Sequence, residues 1–196
     1  MYAEHVPVIS HAMREDGEVV RRGCMFAVLS ARQPVRLVPA MLDDLELNRA
    51  ESAYLFGWKR SSYVHIYTQG EALWRDVCAI PLTDPAAAIV RLMAVPGLGL
   101  VKAGFVAQFL GFDVACLDSR NGEREGRDYA REFKSRKRLS PTTIRRHVDR
   151  YVAETLGKSQ QYWDMWCAYV APDHKLTPYE VSALHLAILP DDYIPF

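Results

Sequence analysis

The chain has 196 residues, 49% hydrophobic and 24% charged, a composition that supports a packed core and excludes a disordered chain. Its 24 basic and 24 acidic residues cancel, so it is no polycation, and any contact with nucleic acid has to come from a local patch. Cys24, Cys78, Cys116 and Cys167 stand far apart with no CxxC or Cys/His spacing, so no zinc, iron–sulfur centre or other metal or cofactor is expected, and free thiols fit a reducing cytoplasm.

The N-terminus Met1-Tyr2-Ala3-Glu4-His5 lacks the basic start and apolar run of a signal peptide. No run long enough to cross a membrane follows, so a cytoplasmic chain with no membrane partner is expected. Val19 to Leu29 and Val35 to Leu47 read as helices, with Pro39 threatening to kink the second. Tyr54 to His65 mixes aromatic and basic residues. Tyr54 and Phe56 are expected in the core, whereas Trp58, Lys59 and Arg60 are candidates to contact DNA by wedging or stacking. Tyr63-Val64-His65-Ile66-Tyr67 has the composition of a short strand but no partner.

Three helix starts are written in the sequence: Asp84-Pro85, Ser140-Pro141 and Thr177-Pro178. In each, a polar side chain can accept an orphan backbone N–H and proline takes the first helical position. Glu180 completes a capping box at the third. Ala88, Ile89, Leu92 and Met93, then Ile144, Val148, Tyr151 and Val152, recur at helical spacing; Val181, Leu184, Leu186 and Ile188 give a last helix that Pro190 stops. Tyr162 to Tyr169 is a dense aromatic helix expected in the core, with Asp164 a candidate second carboxylate. The six histidines form no recognisable metal or nucleophile pair and are expected to be structural or exposed. One all-α domain spanning 1–196 results.

The chemistry centres on Val95-Pro96-Gly97-Leu98-Gly99-Leu100-Val101-Lys102, followed by Cys116-Leu117-Asp118-Ser119-Arg120-Asn121. Gly97 and Gly99 permit a tight turn between two helices and bring backbone N–H groups close to a ligand. The helix that starts at Gly99 offers its positive end to a phosphate. Taken alone, the turn also fits a helix connection that needs glycine only for geometry. Between Asp118 and Arg150, eleven basic residues face six acidic ones, an excess of five charges in a neutral chain. Arg120, Lys134, Arg136, Lys137 and Arg138 are its candidate phosphate contacts, and a solvated, ion-paired helical surface is the alternative.

These motifs resemble the helix-hairpin-helix DNA glycosylase superfamily over Asp84 to Asn121, with the hairpin at about 84–111. The resemblance implies a glycosylase-like helical domain in which Gly97, Leu98, Gly99 and Val101 bind a DNA backbone and Asp118 is the catalytic carboxylate. Two departures stand out. The position of the lysine nucleophile of bifunctional members is Val101 here, with Lys102 one place later and rotated by about 100° on the helix. The histidine that often follows the aspartate is Arg120. Within the superfamily the chain is similar to the bacteriophage amino acid:DNA transferases (α-glutamyl/putrescinyl-thymidine pyrophosphorylases). That implies transfer of an amino-acid or polyamine nitrogen onto a pyrophosphorylated 5-hydroxymethyluracil in phage DNA, inside an infected host, with Asp118 and Lys102 at the site. A monofunctional glycosylase and a non-catalytic DNA-binding module are the alternatives.

Overall fold

The computed structural model describes residues 1–133, 140–191 and 193. Among these residues it is helical throughout, with no strand. The helices are α1 (Tyr2–Glu15), α2 (Gly17–Leu29), α3 (Val38–Asn48), α4 (Trp58–Cys78), α5 (Pro85–Leu92), α6 (Leu100–Phe109), α7 (Ser119–Glu125), α8 (Tyr129–Glu132), α9 (Pro141–Thr155), α10 (Ser159–His174) and α11 (Pro178–Ala183). Short 3₁₀ turns precede α3 at Val35–Leu37 and follow α11 at Leu184–Ile188.

The second helix is the hub. From Cys24 to Leu29 every residue is buried, and α1, α3, α4 and α6 pack around it. A helix apolar on all sides has to be enclosed in this way. Its one buried cation, Arg22, spans to the far end of the chain. Arg22 Nε donates to Ile188 O at 2.9 Å and an Nη to Ala187 O at 2.7 Å, and the guanidinium also pairs with Glu46. The C-terminal 3₁₀ turn is thereby pinned to the core.

All three capping motifs form. Asp84 accepts from Ala87 N, Ser140 from Thr143 N and Thr177 from Glu180 N, the last within a reciprocal capping box. The expected second helix begins later than its pattern. Pro39 lies in the first turn of α3, where its missing N–H costs nothing, and so starts the helix instead of kinking it.

Several expectations are corrected. Tyr63 to Tyr67 lies inside the 21-residue α4, not in a strand. Its local alternation is overridden by the longer spacing of Tyr63, Ile66, Gly70, Leu73 and Val77, all buried on one face. Phe56 is exposed, while Tyr54 packs partly against the core. The polar stretch after Asp118 forms, in its first described part, α7 and α8, capped by Asp118 and Asp128.

Candidate active site

The hairpin that joins α5 to α6 is built on Gly97, whose φ of 85° lies in the left-handed region. A Cβ there would also collide with the Trp58 ring and Ser62 Oγ. The α4 N-terminus therefore packs directly on the turn, and Ser62 Oγ donates to Pro96 O at 2.6 Å. Leu98 and Leu100 are buried and anchor the turn from beneath. Gly99 is different: its φ of −72° is ordinary and a Cβ would meet nothing within 4 Å. No side chain among the described residues caps α6, so its first N–H groups are left without a side-chain partner at the positive helix end.

The DNA-contact candidates on α4 separate. Trp58, 46% exposed, lies over Gly97 beside exposed Phe56. Arg60 is exposed, donates to Ala50 O, and helps line a shallow groove with His65 and Pro96. Lys59 turns inward: it is only 2% exposed, and its Nζ donates to Leu29 O at 3.2 Å, at the carbonyl end of α2. Burial, with a smaller contribution from Lys102, lowers its pKa. Lys59 thus braces α2 and does not reach the surface.

The turn after α6 delivers Asp118 through a buried clamp. Tyr151 Oη, on α9, donates to Ala115 O at 2.6 Å and accepts from Leu117 N at 3.1 Å. Asn121 Nδ2 donates to Cys116 O at 2.7 Å. Gly104 on α6 leaves the room that the Tyr151 ring occupies; a Cβ there would stand 2.6 Å from Tyr151 Oη. Asp118 then caps α7, its Oδ1 accepting from Asn121 N at 3.0 Å and its Oδ2 from Trp166 Nε1 at 2.9 Å. Burial raises the Asp118 pKa, while the Asn121 N–H, the Lys102 charge and the Trp166 N–H pull the other way.

Asp118, Lys102, Val101 and Arg120 share one cleft of about 850 Å³. Its walls come from the C-terminal end of α2, α6, α7, α10 and the last 3₁₀ turn. Lys102 Nζ donates to Ser30 Oγ at 2.8 Å and lies 5.5 Å from the Phe105 ring centroid. The step from Val101 to Lys102 therefore does not remove the amine from the cleft, because both positions line it. Arg32 and Arg36 also line it, and Arg32 holds a left-handed φ of 60°. Arg120, at the mouth, pairs with Glu123 at 3.0 Å and Asp173 at 3.4 Å.

Among the described residues of the Asp118 to Arg150 stretch, seven basic residues stand against six acidic ones, and four of the seven, Arg120 included, are ion-paired. Arg124 pairs with Glu125, Arg127 with Glu132 and Glu154, and Arg145 with Asp149 and Asp84. Lys134, Arg136, Lys137 and Arg138 lie outside the described residues. Asp164 is not a second cleft carboxylate: its Oδ1 accepts from Tyr2 N at 2.9 Å and ties α10 to the chain start.

Sequence reasoning missed Trp166, Tyr151 and His185. A signal for the first was present, since Trp163, Trp166 and Val170 follow helical spacing and all line the cleft. Nothing local marks Tyr151 or His185, which are brought in by packing between distant segments. Among the described residues no group of three or more His, Cys, Asp and Glu is placed to hold a metal ion, and no helix is long and apolar enough to cross a membrane. Comparison with protein-family models, with curated proteins and with solved structures finds no match.

Proposed function

We propose that this chain is a DNA base-modifying enzyme of helix-hairpin-helix, glycosylase-like type, working on a base turned out of the duplex into the Asp118 cleft. The observation that carries the reading is the placement of Asp118 and Lys102 in one aromatic-walled cleft behind an uncapped hairpin helix. The uncapped N–H groups of α6 and the open space at Gly99 suit a backbone phosphate. Trp58 and Phe56, exposed beside the hairpin, suit the gap that an extruded base leaves.

The reaction proposed is amine transfer onto a pyrophosphorylated 5-hydroxymethyluracil in phage DNA. The donor nitrogen attacks the 5-methylene carbon, the carbon–oxygen bond breaks, and pyrophosphate leaves with the electron pair. The proton shed by the nitrogen passes to the Asp118 carboxylate. A pKa raised by burial makes Asp118 a better proton acceptor than an exposed aspartate. Lys102, Arg32 and Arg36 on the cleft wall suit the departing anion.

Base excision is the second reading, favoured by the charge that Lys102 places near Asp118. That arrangement also suits a carboxylate stabilising a sugar cation while water attacks. The two reactions part at the product, since transfer leaves the glycosidic bond intact and excision leaves an abasic sugar. Incubating duplex carrying each candidate base with the protein, and with Asp118→Asn as control, distinguishes them by nucleoside analysis.

A further inference from the structure

His185 takes no part in the chemistry above, yet it is the most enclosed titratable group lining the cleft, 1% exposed. Its ring is set by the 3₁₀ turn that Arg22 pins to α2. Around it stand Phe26 at 5.0 Å, Trp163 at 4.6 Å, Phe105 at 5.8 Å and Trp166 at 5.9 Å between ring centroids.

The protonation of the ring follows from its partners. Nδ1 lies 3.1 Å from Ser182 O, and a carbonyl oxygen only accepts, so the proton belongs on Nδ1. Burial holds the imidazole neutral by lowering its pKa to about 4. Nε2 is then a bare acceptor, and it is buried with no hydrogen-bond partner among the described residues. Buried polar atoms are normally paired, and an unpaired one beside a cleft points to a ligand that supplies the partner. The partner has to be a donor. The flat aromatic wall adds that the donor sits on a planar ring.

We infer that the cleft binds a base of the uracil type, stacked against Phe105 and Trp163, whose N3–H donates to His185 Nε2. A cytosine ring turns a lone pair toward Nε2 at the same position and is repelled. Docked this way, the base keeps its 5-substituent on a different edge from N3, clear of His185. Trp166 connects the two ends of the cleft, since it packs on His185 and donates to Asp118. The inference names the residue that reads the N3–H edge of the base in the base-modifying reading and rests on that reading for biological meaning, although free nucleosides suffice to test it.

Calorimetric titration of the whole protein with thymidine and with N3-methylthymidine is the test, because the methyl group replaces the only base N–H. Thymidine should bind at least about tenfold tighter, the ratio one unmade buried hydrogen bond produces. In His185→Phe the two nucleosides should bind equally. In ¹⁵N-histidine-labelled wild-type protein, which needs no variant to fold, thymidine and not its methyl analogue should shift the His185 Nε2 resonance. Equal binding of the two by wild type, a preference that survives in a folded His185→Phe, or no saturation by either at about 10 mM would overturn the inference. N3–H selectivity without any affinity for duplex DNA would sink the DNA reading and leave the pocket standing. Duplex binding without selectivity would do the reverse.

Discussion

Asp118 and His185, both lining the cleft, each have a pH signature. Asp118 is held in place by Asn121 N and Trp166 Nε1 and has a raised pKa because it is buried. If it acts as a base, kcat/KM falls as pH drops through that raised pKa, above the ordinary 3.8 of the side chain. Asp118→Asn keeps the cap on α7 and should lower kcat by about 10²–10⁴-fold with DNA affinity unchanged. Trp166 is a positioning residue whose N–H favours the ionised carboxylate. Trp166→Phe should therefore move the acid limb of the pH–rate profile upward, which a purely structural role would not do. His185 works in the opposite sense. Its folded pKa of about 4 lies below the ordinary 6.5, so the unfolded chain takes up the proton first as pH falls. Its contribution to stability is complete above pH 6.5 and is lost toward pH 4, at about 3 kcal/mol for a fully buried ring. Thermal melts across that range should show the loss, and His185→Phe should flatten it.

Among the elements, the hairpin makes the sharpest prediction because its two glycines serve different ends. Gly97 has a positive φ and lies under Trp58 and Ser62, so Gly97→Ala should cost about 1–3 kcal/mol of stability and displace α4. Gly99 has an ordinary φ and open space above it. Gly99→Ala should leave the melting temperature nearly unchanged, yet weaken DNA binding, because its methyl stands where a phosphate would approach. Equal affinity of wild type and Gly99→Ala for duplex, measured by fluorescence anisotropy, would remove the hairpin from the binding surface. The three capped helix starts were readable from sequence because each rests on a contact a few residues away, and the turn between α5 and α6 was readable because Gly97 supplies its left-handed φ. The α4 helix was not, because the five-residue run Tyr63 to Tyr67 carries β-type residues, and only its repeat out to Val77 reveals the buried helical face. Tyr151 illustrates the same limit: it looks like one more core position of α9, and its clamp on Ala115 and Leu117 depends on how α9 meets α6.

At the scale of the molecule, the cleft joins segments as distant as Phe26 and His185. No sequence window contains it, which is why the motif named Asp118 and Lys102, which line it, and not the wall around them. The charge pattern was only half informative. Four of the five excess charges after Asp118 belong to Lys134, Arg136, Lys137 and Arg138, outside the described residues, while within them Arg127 is held in ion pairs with Glu132 and Glu154. The cations nearer the cleft, Lys102, Arg32 and Arg36, have no carboxylate partner among the described residues and were less conspicuous in sequence. Duplex binding should accordingly depend on salt with a modest slope, equivalent to about three to five phosphates. Arg124→Gln and Arg145→Gln should leave that slope unchanged, while Arg36→Gln should reduce it. In the proposed function Asp118 serves a reaction on a base. Duplex DNA bearing pyrophosphorylated 5-hydroxymethyluracil, incubated with the protein, amino acids and polyamines, and then digested for nucleoside mass spectrometry, tests it most directly. Amine transfer should give a nucleoside carrying the amine donor on its 5-methylene, with the glycosidic bond intact and no such product from Asp118→Asn. A substrate recovered unchanged from the wild-type protein, or converted equally by the variant, would contradict it.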